Sequence, residues 1–208
     1  MIPELLFLLL VLVSLLTFAA ALVMMLRDRR PIAERLLGIL GIGWLAYLSV
    51  VFLVSAATPQ RVVPFNQNLC FDEMCFSVIQ IRKVTHLGPP AHPVQANGIF
   101  YVVTVRVSNR SRGRTQSEGG IRALLWQAGR YYKVSSTGQS AWDEANGPTA
   151  KLTSRLRPDE SIVSDQVFEV PASANDPGLV LSHGFTPGYF VIGECPLFHK
   201  PTILRLMP

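Results

Sequence analysis

Cysteine is the side chain of this sequence best suited to covalent chemistry. Cys70 and Cys75 flank four residues just before the first clear strand pattern. Outside the cytoplasm such pairs are usually oxidised, so we predict a disulfide that ties the start of a domain to its first strand. A haem site is disfavoured, because the C-x-x-C-H signature is missing and no histidine is near in sequence. Cys195 is left over, and pairing with either other cysteine, burial or a bond to a partner chain stay open.

Histidine is the commonest ligand for catalytic metals, and this chain has few. Its histidines are His86, His92, His183 and His199. None belongs to a metal-binding pattern such as H-E-x-x-H. A copper or zinc site that combines them with Met74 or Cys195 stays open as an alternative. We expect no cofactor, and ordinary hydrogen bonds at loops and strand ends for these side chains.

A catalytic constellation is not visible in the sequence. Nucleophilic catalysis needs a base and an orienting acid beside the nucleophile, but there is no G-x-S-x-G elbow, phosphate loop or dinucleotide fingerprint. The adjacent acids Asp72-Glu73 and Asp143-Glu144 would point to opposite faces of a strand, which does not suit a facing carboxylate pair. We expect both pairs in surface turns, and we predict that the protein is not an enzyme.

Two long apolar runs near the N-terminus determine where the rest of the chain is anchored. They span Leu5–Leu26 and Leu36–Ala57 and contain no charged side chain. About 20 helical residues cross a hydrocarbon layer of about 30 Å, so we predict a transmembrane helical hairpin over residues 1–57. A buried hairpin of a soluble domain is disfavoured because the remaining chain is too small to wrap it. A signal peptide would have a shorter apolar stretch after a positive segment.

The loop between the runs, residues 27–35, fixes the expected orientation. Its basic residues are Arg27, Arg29, Arg30 and Arg35. Lys and Arg are enriched in short cytoplasmic loops, so we predict a cytoplasmic loop, with the N-terminus and the chain after Ala57 outside. The expected location is the inner (plasma) membrane of a bacterium, crossed twice, with the C-terminal domain on the periplasmic or extracellular side.

Small and aromatic residues of the second run are candidates for packing against another membrane helix. They are Gly38, Gly41, Gly43, Trp44 and Tyr47. Small residues let helices approach closely in lipid, although the spacing is not a clean GxxxG. The two aromatics lie near mid-span, where they would face a neighbouring subunit, the first helix or lipid. The absence of ionisable residues in both runs argues against transport or redox chemistry there.

After Thr58 the pattern changes to short strands between turn signals. The predicted strands are Cys75–Thr85, Ile99–Ser108, Ile121–Gln127, Arg130–Ser135, Ser161–Val170, Leu179–His183, Tyr189–Ile192 and a last one near Thr202–Leu206. Alternation of apolar and polar residues is typical of half-buried strands, and seven or eight of them in about 150 residues predict an antiparallel sandwich. We therefore expect an extracytoplasmic, all-β sandwich domain over residues 58–208.

Four motifs of this domain resemble those of a bacterial family. They are Tyr101–Asn109 (YVVTVRVSN), Leu125–Tyr132 (LWQAGRYY), Leu156–Ser161 (LRPDES) and Val167–Pro171 (VFEVP). Their order is similar to that of membrane-anchored, telokin-like immunoglobulin-like domains of unknown function, over roughly residues 75–183. Asp159 stands where the family has Gly, and Ala128 where it has Asp or Ser. The resemblance implies an immunoglobulin-like sandwich outside the cytoplasm, and it implies no agreed activity.

The chain is basic, with a formal net charge of +5. Outside the hairpin loop, positive charge concentrates at the end of the Ile99–Ser108 strand. The residues concerned are Arg106, Arg110, Arg112 and Arg114. Because arginine binds carboxylates and phosphates bidentately, this cluster is a candidate for contact with lipid head groups or an acidic neighbour, a solvated loop being the alternative. A domain facing away from the cytoplasm does not bind nucleic acid.

Together these features predict a non-catalytic, membrane-anchored extracytoplasmic module. We expect an accessory or structural subunit that stabilises a larger membrane complex, for example a photosynthetic or respiratory assembly. Its partners would be other membrane-protein subunits and the lipid bilayer. The alternative is a stand-alone periplasmic module that binds a ligand or a protein, using Trp126, Trp142 or Tyr131. A sandwich with only convex, polar surface would count against that alternative.

Overall fold

The computed structural model describes residues 2–173, 177–182, 190–192 and 200–207. The chain divides into two compact units. A helical unit comprises Met1–Gln60 and Phe185–Pro201, and a sandwich unit comprises Arg61–Gly184 and Thr202–Pro208.

Two apolar helices, α1 (Ile2–Leu26) and α2 (Arg30–Ala57), dominate the helical unit. Helix α1 ends in a Schellman motif, in which Arg29 N–H donates to Met24 C=O (2.9 Å) and Asp28 adopts a left-handed φ of 55°. The connection between the helices therefore comprises only residues 27–29. The predicted loop over residues 27–35 was too long, because α2 already begins at Arg30. Pro31 lies in the first turn of α2, where its fixed φ and missing N–H are compatible with a helix.

The two helices pack along a seam whose residues recur every three or four positions. The buried and half-buried residues of this seam include Phe7, Leu10, Ser14, Thr17, Ala21 and Met24 in α1, and Ala33, Leu37, Leu40, Trp44, Val51 and Ser55 in α2. That period places one stripe of each helix against the other. The indole N–H of Trp44 donates to Ser14 Oγ at 2.9 Å, so Trp44 packs against the first helix, one of the three alternatives left by the sequence.

The sandwich unit contains nine strands and one helix among its described residues. These are β1 (Val62–Val63), β2 (Leu69–Phe71), β3 (Met74–Leu87), β4 (Val94–Asn109), β5 (Arg122–Gln127), β6 (Arg130–Lys133), α3 (Ser136–Asn146), β7 (Ser161–Val170), β8 (Gly178–Ser182) and β9 (Ile203–Arg205). One sheet has the order β1-β9-β8-β5-β6 and the other β2-β3-β4-β7. The predicted β-sandwich is confirmed, with the difference that β1 runs parallel to β9.

The main core lies between the inner faces of the two sheets. Phe76, Tyr101 and Phe168 from one sheet meet Leu125 and Leu179 from the other, and all five side chains are almost fully buried. Alternate residues of the β3-β4-β7 sheet point inward, as the two-residue period of a strand requires. The opposite face of that sheet is covered by helix α3 through a second buried cluster.

Helix α3 was not expected from the sequence, although its ends carry ordinary signals. Ser135 is the N-cap, and its Oγ accepts a hydrogen bond from Gly138 N–H. Gly147 follows the helix with a φ of 88°, a value that glycine adopts without steric cost. The acids Asp143 and Glu144 therefore lie in a helix and not in a turn.

The strand predictions hold among the described residues, except that the strand over Tyr189–Ile192 was wrong. Ser161–Val170 is recovered with the same bounds, and the others shift by a few residues. The two short strands β1 and β2 were missed. Residues 190–192 are not in a strand, while Tyr189 and His183 lie outside the described residues.

Candidate functional site

A cleft of about 670 Å³ opens on the sandwich unit beside helix α3. Its walls come from β5, β6, α3, the segment 149–153 and β7. The polar and charged side chains that line it include Arg122, Lys133, Gln139, Asp143, Lys151 and Gln166. The surface of the sandwich is therefore not only convex, and the cleft is the candidate site of this unit.

The floor of the cleft is a hydrogen-bond network around Asp143. Its Oδ1 accepts from the hydroxyl of Thr149 (2.6 Å), the amide of Gln139 (3.1 Å) and the backbone N–H of Thr149 (3.3 Å). Desolvation alone would raise the pKa of the Asp143 carboxyl, but these hydrogen bonds outweigh it and lower that pKa. Gln139 Oε1 in turn accepts from Val167 N–H at 3.0 Å, so the same network fastens α3 to β7.

Three cations stand at the rim of this cleft. Arg122, Lys133 and Lys151 are exposed, and none makes an ion pair within 4.0 Å to another described residue. Because Asp143 is the single carboxylate among the described lining residues, this part of the cleft has an excess of positive charge. Their guanidinium and ammonium groups, with the amides of Gln139 and Gln166, offer donors to a carboxylate or phosphate. No histidine or cysteine is among the described residues of the lining.

The three aromatic residues proposed for a ligand site, Trp126, Trp142 and Tyr131, do not form a single aromatic cluster. Trp142 is buried under the guanidinium of Arg82, which lies 5.4 Å from the ring centroid, and its indole N–H donates to Asp165 Oδ2 at 3.2 Å. Trp126 and Tyr131 pair across the β5–β6 hairpin. Tyr131 is 50% exposed, so it is the member of the three most available to a ligand.

The arginine-rich loop after β4 is held by one buried amide. Asn109 Nδ2 donates to the carbonyls of Arg114 (2.8 Å) and Leu156 (3.0 Å), and its Oδ1 accepts from Ser111 N–H (2.9 Å) and Gln116 Nε2 (3.0 Å). All four hydrogen-bonding positions of the side chain are used. This accounts physically for an asparagine at the end of the YVVTVRVSN motif.

The arginines of this region are exposed, and carboxylates lie beside them. The predicted cluster is Arg106, Arg110, Arg112 and Arg114. Arg114 pairs with Glu73 at 3.6 Å, and backbone hydrogen bonds join this loop to the turns that carry Glu73, Asp159 and Glu160. The loop therefore has mixed charge, and contact with lipid head groups stays a prediction.

The cysteine prediction is confirmed, since Cys70 and Cys75 form a disulfide across the β2–β3 hairpin with a Cα–Cα distance of 4.0 Å. Met74 is 2% exposed and packs among the apolar side chains of the main core. Within the ranges that the structure describes, no three His, Cys, Asp or Glu side chains group as metal ligands. Cys195, His183 and His199 lie outside those ranges.

The helical unit presents a second candidate surface, whose large exposed side chains are mostly apolar. Large side chains that face outward from α1 and α2 include Leu5, Leu8, Leu12, Leu15, Phe18, Leu22, Ile39, Ile42, Leu45 and Leu53. A groove of about 430 Å³ runs between the helices and is lined by Leu6, Leu9, Leu10, Val13, Ala46, Tyr47, Val50 and Ile192. None of the described residues that line the groove carries a charge.

The glycines of α2 lie outside the helix seam. Gly38, Gly41 and Gly43 are exposed, and a Cβ added at any of them would meet no atom within 4 Å. At about 100° per residue, Gly38 and Gly41 share one face with Ser49, whereas Gly43 lies about 140° round the helix from Gly38. The three glycines therefore do not form a single packing surface.

Neither a protein-family model nor a curated protein matches this chain. Solved structures with a similar fold include a conserved hypothetical protein from Bacillus anthracis, with 15% identity, a TM-score of 0.47 and coverage of 57% of this chain and 89% of that one. An uncharacterized beta-sandwich protein from Clostridium difficile has 14% identity and a TM-score of 0.40, covering 72% and 95%. A secreted protein from Mycobacterium tuberculosis has 11% identity and a TM-score of 0.43, covering 72% and 99%.

Proposed function

We propose that this chain is a two-pass bacterial plasma-membrane protein whose sandwich unit lies outside the cytoplasm and which serves as a non-catalytic accessory subunit of a larger membrane complex. The observation that carries the proposal is the apolar outer surface of α1 and α2. Only 6% of the residues in the apolar window of each helix are buried within the molecule, and the mean hydropathy of these windows is 2.9 and 2.3. A surface of this extent belongs in lipid, because exposed apolar patches of soluble proteins are far smaller.

The orientation rests on the arginines at the turn. Arg27, Arg29, Arg30 and Arg35 lie at one end of the helix pair, and the excess of basic residues in short loops marks the cytoplasmic side. The turn is then cytoplasmic, and both the start of α1 and the sandwich unit are outside.

Cysteine labelling in intact cells tests this topology. In a Cys195→Ser background, an impermeant maleimide should label Ser140→Cys on the sandwich, and it should label Asp28→Cys at the turn only after the cells are permeabilised. Labelling of both sites in intact cells would contradict the proposed orientation. Recovery of the chain in the soluble fraction would contradict the membrane assignment.

The accessory role is supported by the face of α2 that carries Gly38, Gly41 and Ser49. This face is exposed and does not contact α1. In lipid, small residues let a neighbouring helix approach closely, which gives van der Waals contact that Leu would block. A transmembrane helix of a partner subunit fits such a face.

Native electrophoresis after mild-detergent extraction tests the accessory role. The wild-type chain should migrate as part of a larger complex, Gly41→Leu should release it, and Gly43→Leu on another side of α2 should not. Migration of the wild-type chain only as a small free species would overturn the assignment.

The immunoglobulin-like character of the sandwich is part of the same proposal. It is supported by the positions of the four motifs, which fall at the end of β4, at the β5–β6 hairpin, at the turn before β7 and at the end of β7. Ala128 and Gly129 have φ values of 46° and 83°, which fits the two-residue turn of type I′ that a tight hairpin favours.

A second candidate function is binding of an anionic ligand outside the cell, and the basic rim of the cleft favours it. Titration with citrate and with inorganic phosphate, followed by NMR of the sandwich resonances, tests this role. Shifts should centre on Arg122 and Lys133, and Lys133→Gln should weaken them several-fold. Lys83→Gln, on the other sheet, is the matched control. Equal shifts throughout the surface would exclude a specific site.

A further inference from the structure

Three residues from the C-terminal part of the chain, 190–192, lie against the apolar helices within the helical unit. The ring of Phe190 stacks on that of Phe7, with centroids 6.1 Å apart and planes 8° apart. The hydroxyl of Tyr47 donates to the backbone carbonyl of Phe190 at 2.7 Å. Val191 is 5% exposed, and Ile192 lines the apolar groove. These contacts fix the segment to both helices at once.

The level of this contact along the helices follows from helix geometry. At 1.5 Å per residue, Phe7 lies about 28 Å from Leu26, and Tyr47 lies about 26 Å from Arg30, so the two anchors are at similar heights above the turn. The cytoplasmic boundary of a hydrocarbon layer of about 30 Å lies between the level of Leu26, where the apolar run of α1 ends, and the level of Arg35, the last arginine near the turn. For either position of that boundary, Phe7 and Tyr47 lie roughly 2 to 12 Å inside the outer boundary of the layer.

Non-helical backbone at such a depth needs a partner for its polar groups. An unsatisfied carbonyl or hydroxyl in hydrocarbon is costly, and irregular backbone is tolerated in a bilayer only where protein satisfies it. Here the Tyr47 hydroxyl and the Phe190 carbonyl satisfy each other. The presence of Tyr47 within the apolar run, which the sequence did not explain, thus gains a physical reason.

We infer that residues 190–192 form a third membrane-embedded element, which dips into the outer leaflet beside α1 and α2 and is latched there by the Tyr47–Phe190 hydrogen bond. Its partner is the acyl-chain region of the lipid, which meets the ring of Phe190, 45% exposed, and fills the groove beside Ile192. This inference rests on the proposed membrane location of the helices.

Depth-dependent quenching tests the inference in the full chain, reconstituted in phosphatidylcholine vesicles that contain doxyl-labelled lipids. In the Cys195→Ser background, an NBD label at Ile192→Cys leaves the ring stack and the hydrogen bond intact, and Phe190→Cys provides a second site. Leu12→Cys reports the helix interior and Tyr131→Cys the sandwich. The labels at 192, 190 and 12 should be quenched by the lipid probes, and the label at 131 should not.

The failure of the inference and the failure of the membrane proposal give different results. If the label at 12 is quenched while those at 190 and 192 behave like the label at 131, the third element is excluded and the hairpin stands. If none of the labels is quenched, the membrane location itself fails.

The latch is tested by removing one hydroxyl. Tyr47→Phe leaves the Phe190 carbonyl without its donor, and the rate at which an impermeant maleimide modifies Ile192→Cys should rise roughly fivefold or more, because an unmade hydrogen bond in an apolar site is costly. Thr58→Ala is the matched control, since the Thr58 hydroxyl donates only to its own helix, to the Val54 carbonyl. Equal rates in the Tyr47→Phe and Thr58→Ala backgrounds would rule out the latch.

Discussion

The helical unit and the sandwich unit place apolar side chains in opposite ways. In the sandwich, Phe168 and Leu125 are 0% exposed between the sheets, whereas in the helices Leu12 is 54% exposed and Leu45 is 69% exposed. Burial of apolar area is the main favourable term for folding in water, and it accounts for the sandwich. The helices bury little apolar area within the molecule, which is the pattern that the proposed membrane location requires.

The polar groups of the two units differ in the same sense. The sandwich satisfies buried polar groups in networks, such as the one around Asn109, and through β-sheet ladders. The helices carry few polar side chains, and their described hydrogen bonds include that of Trp44 to Ser14, that of Ser49 to the Leu45 carbonyl and that of Tyr47 to the Phe190 carbonyl. If the helices lie in lipid, as proposed, the two units are matched to different solvents, and substitutions should affect them in different ways.

The largest effect should come from the sandwich core. Phe168→Ala removes a fully buried ring and leaves a cavity, which should lower the free energy of unfolding of the sandwich by about 3–5 kcal/mol. Chemical denaturation in detergent, followed by near-UV circular dichroism, measures this. Leu12→Ala is the counterpart in the helices and should leave the sandwich transition in place. If both variants shifted that transition equally, the comparison between the units would fail.

The next largest effect should come from a charge introduced on an exposed apolar surface, and it should differ between the helices and the sandwich. Leu12→Arg places a guanidinium near the middle of α1. It should make the free energy of inserting α1 into a bilayer less favourable by about 2.5–3.5 kcal/mol. The measured quantity is the fraction of the chain that stays with membranes after an alkaline wash. Val163→Arg changes an exposed apolar residue of β7 and should leave that fraction unchanged. A fraction that is equal for the two variants would be evidence that α1 does not lie in lipid.

The disulfide should act on the sandwich alone. The double variant Cys70→Ser with Cys75→Ser opens a very short loop, so its cost should be near the low end of the usual range, about 2 kcal/mol. Thermal unfolding with and without reductant measures it. Reductant should lower the Tm of the wild-type chain and not that of the double variant. A loss of helical signal at the same temperature would instead link the disulfide to the helices.

The β5–β6 turn offers a stabilising change in the sandwich. Ala128 holds a φ of 46°, a left-handed conformation that costs an L-residue about 1–2 kcal/mol. Ala128→Asn, a preferred residue in this turn type, should raise the stability of the sandwich by about 1 kcal/mol or less. Gly129→Ala, at a φ of 83°, should lower it. Changes of the same sign in both variants would contradict the turn geometry.

The smallest effect concerns pH and the helix that covers the sandwich. Because the folded-state pKa of Asp143 is lowered, its contribution is fully present above the unfolded pKa of about 3.9 and is lost as the pH falls through the lower folded value. Asp143→Asn should therefore flatten the acid side of the stability–pH curve. Glu144→Gln, which removes an exposed carboxylate from the same helix, is the matched control. The unfolding midpoint measured between about pH 2 and 7 distinguishes them.

Much of the fold could be predicted because its signals are local. Strand alternation in Tyr101–Asn109 and the spacing of Cys70 and Cys75 each lie within a few residues. Helix α3 was missed because the residues that explain it are far from it in sequence. A Cβ on Gly138 would come within 2.8 Å of Val167 Cγ1 and 2.9 Å of Phe100 Cε1. The glycine that weakens the helix pattern is the residue that lets the helix approach the sheet.

The candidate cleft could not be predicted for the same reason. Arg122, Lys133 and Lys151 belong to three separate segments, and no spacing in the sequence relates them. The predicted arginine cluster, by contrast, is contiguous in sequence, but the fold brings Glu73 and Glu160 beside it. Reading neighbours in sequence therefore overestimated the positive charge of the loop after β4 and missed the basic rim of the cleft.

By itself, the sequence determined two uninterrupted apolar helices, a strand-rich remainder and a local disulfide, since hydrophobic period and short spacing act within one segment. The tertiary structure decided what depends on distant residues: which faces of the helices pair, where α3 covers the sheet, and which cations share a cleft. It also joined Tyr47 to the carbonyl of Phe190, 143 residues away. Such a contact leaves no trace in local sequence, because its free energy depends on a partner that only folding brings near.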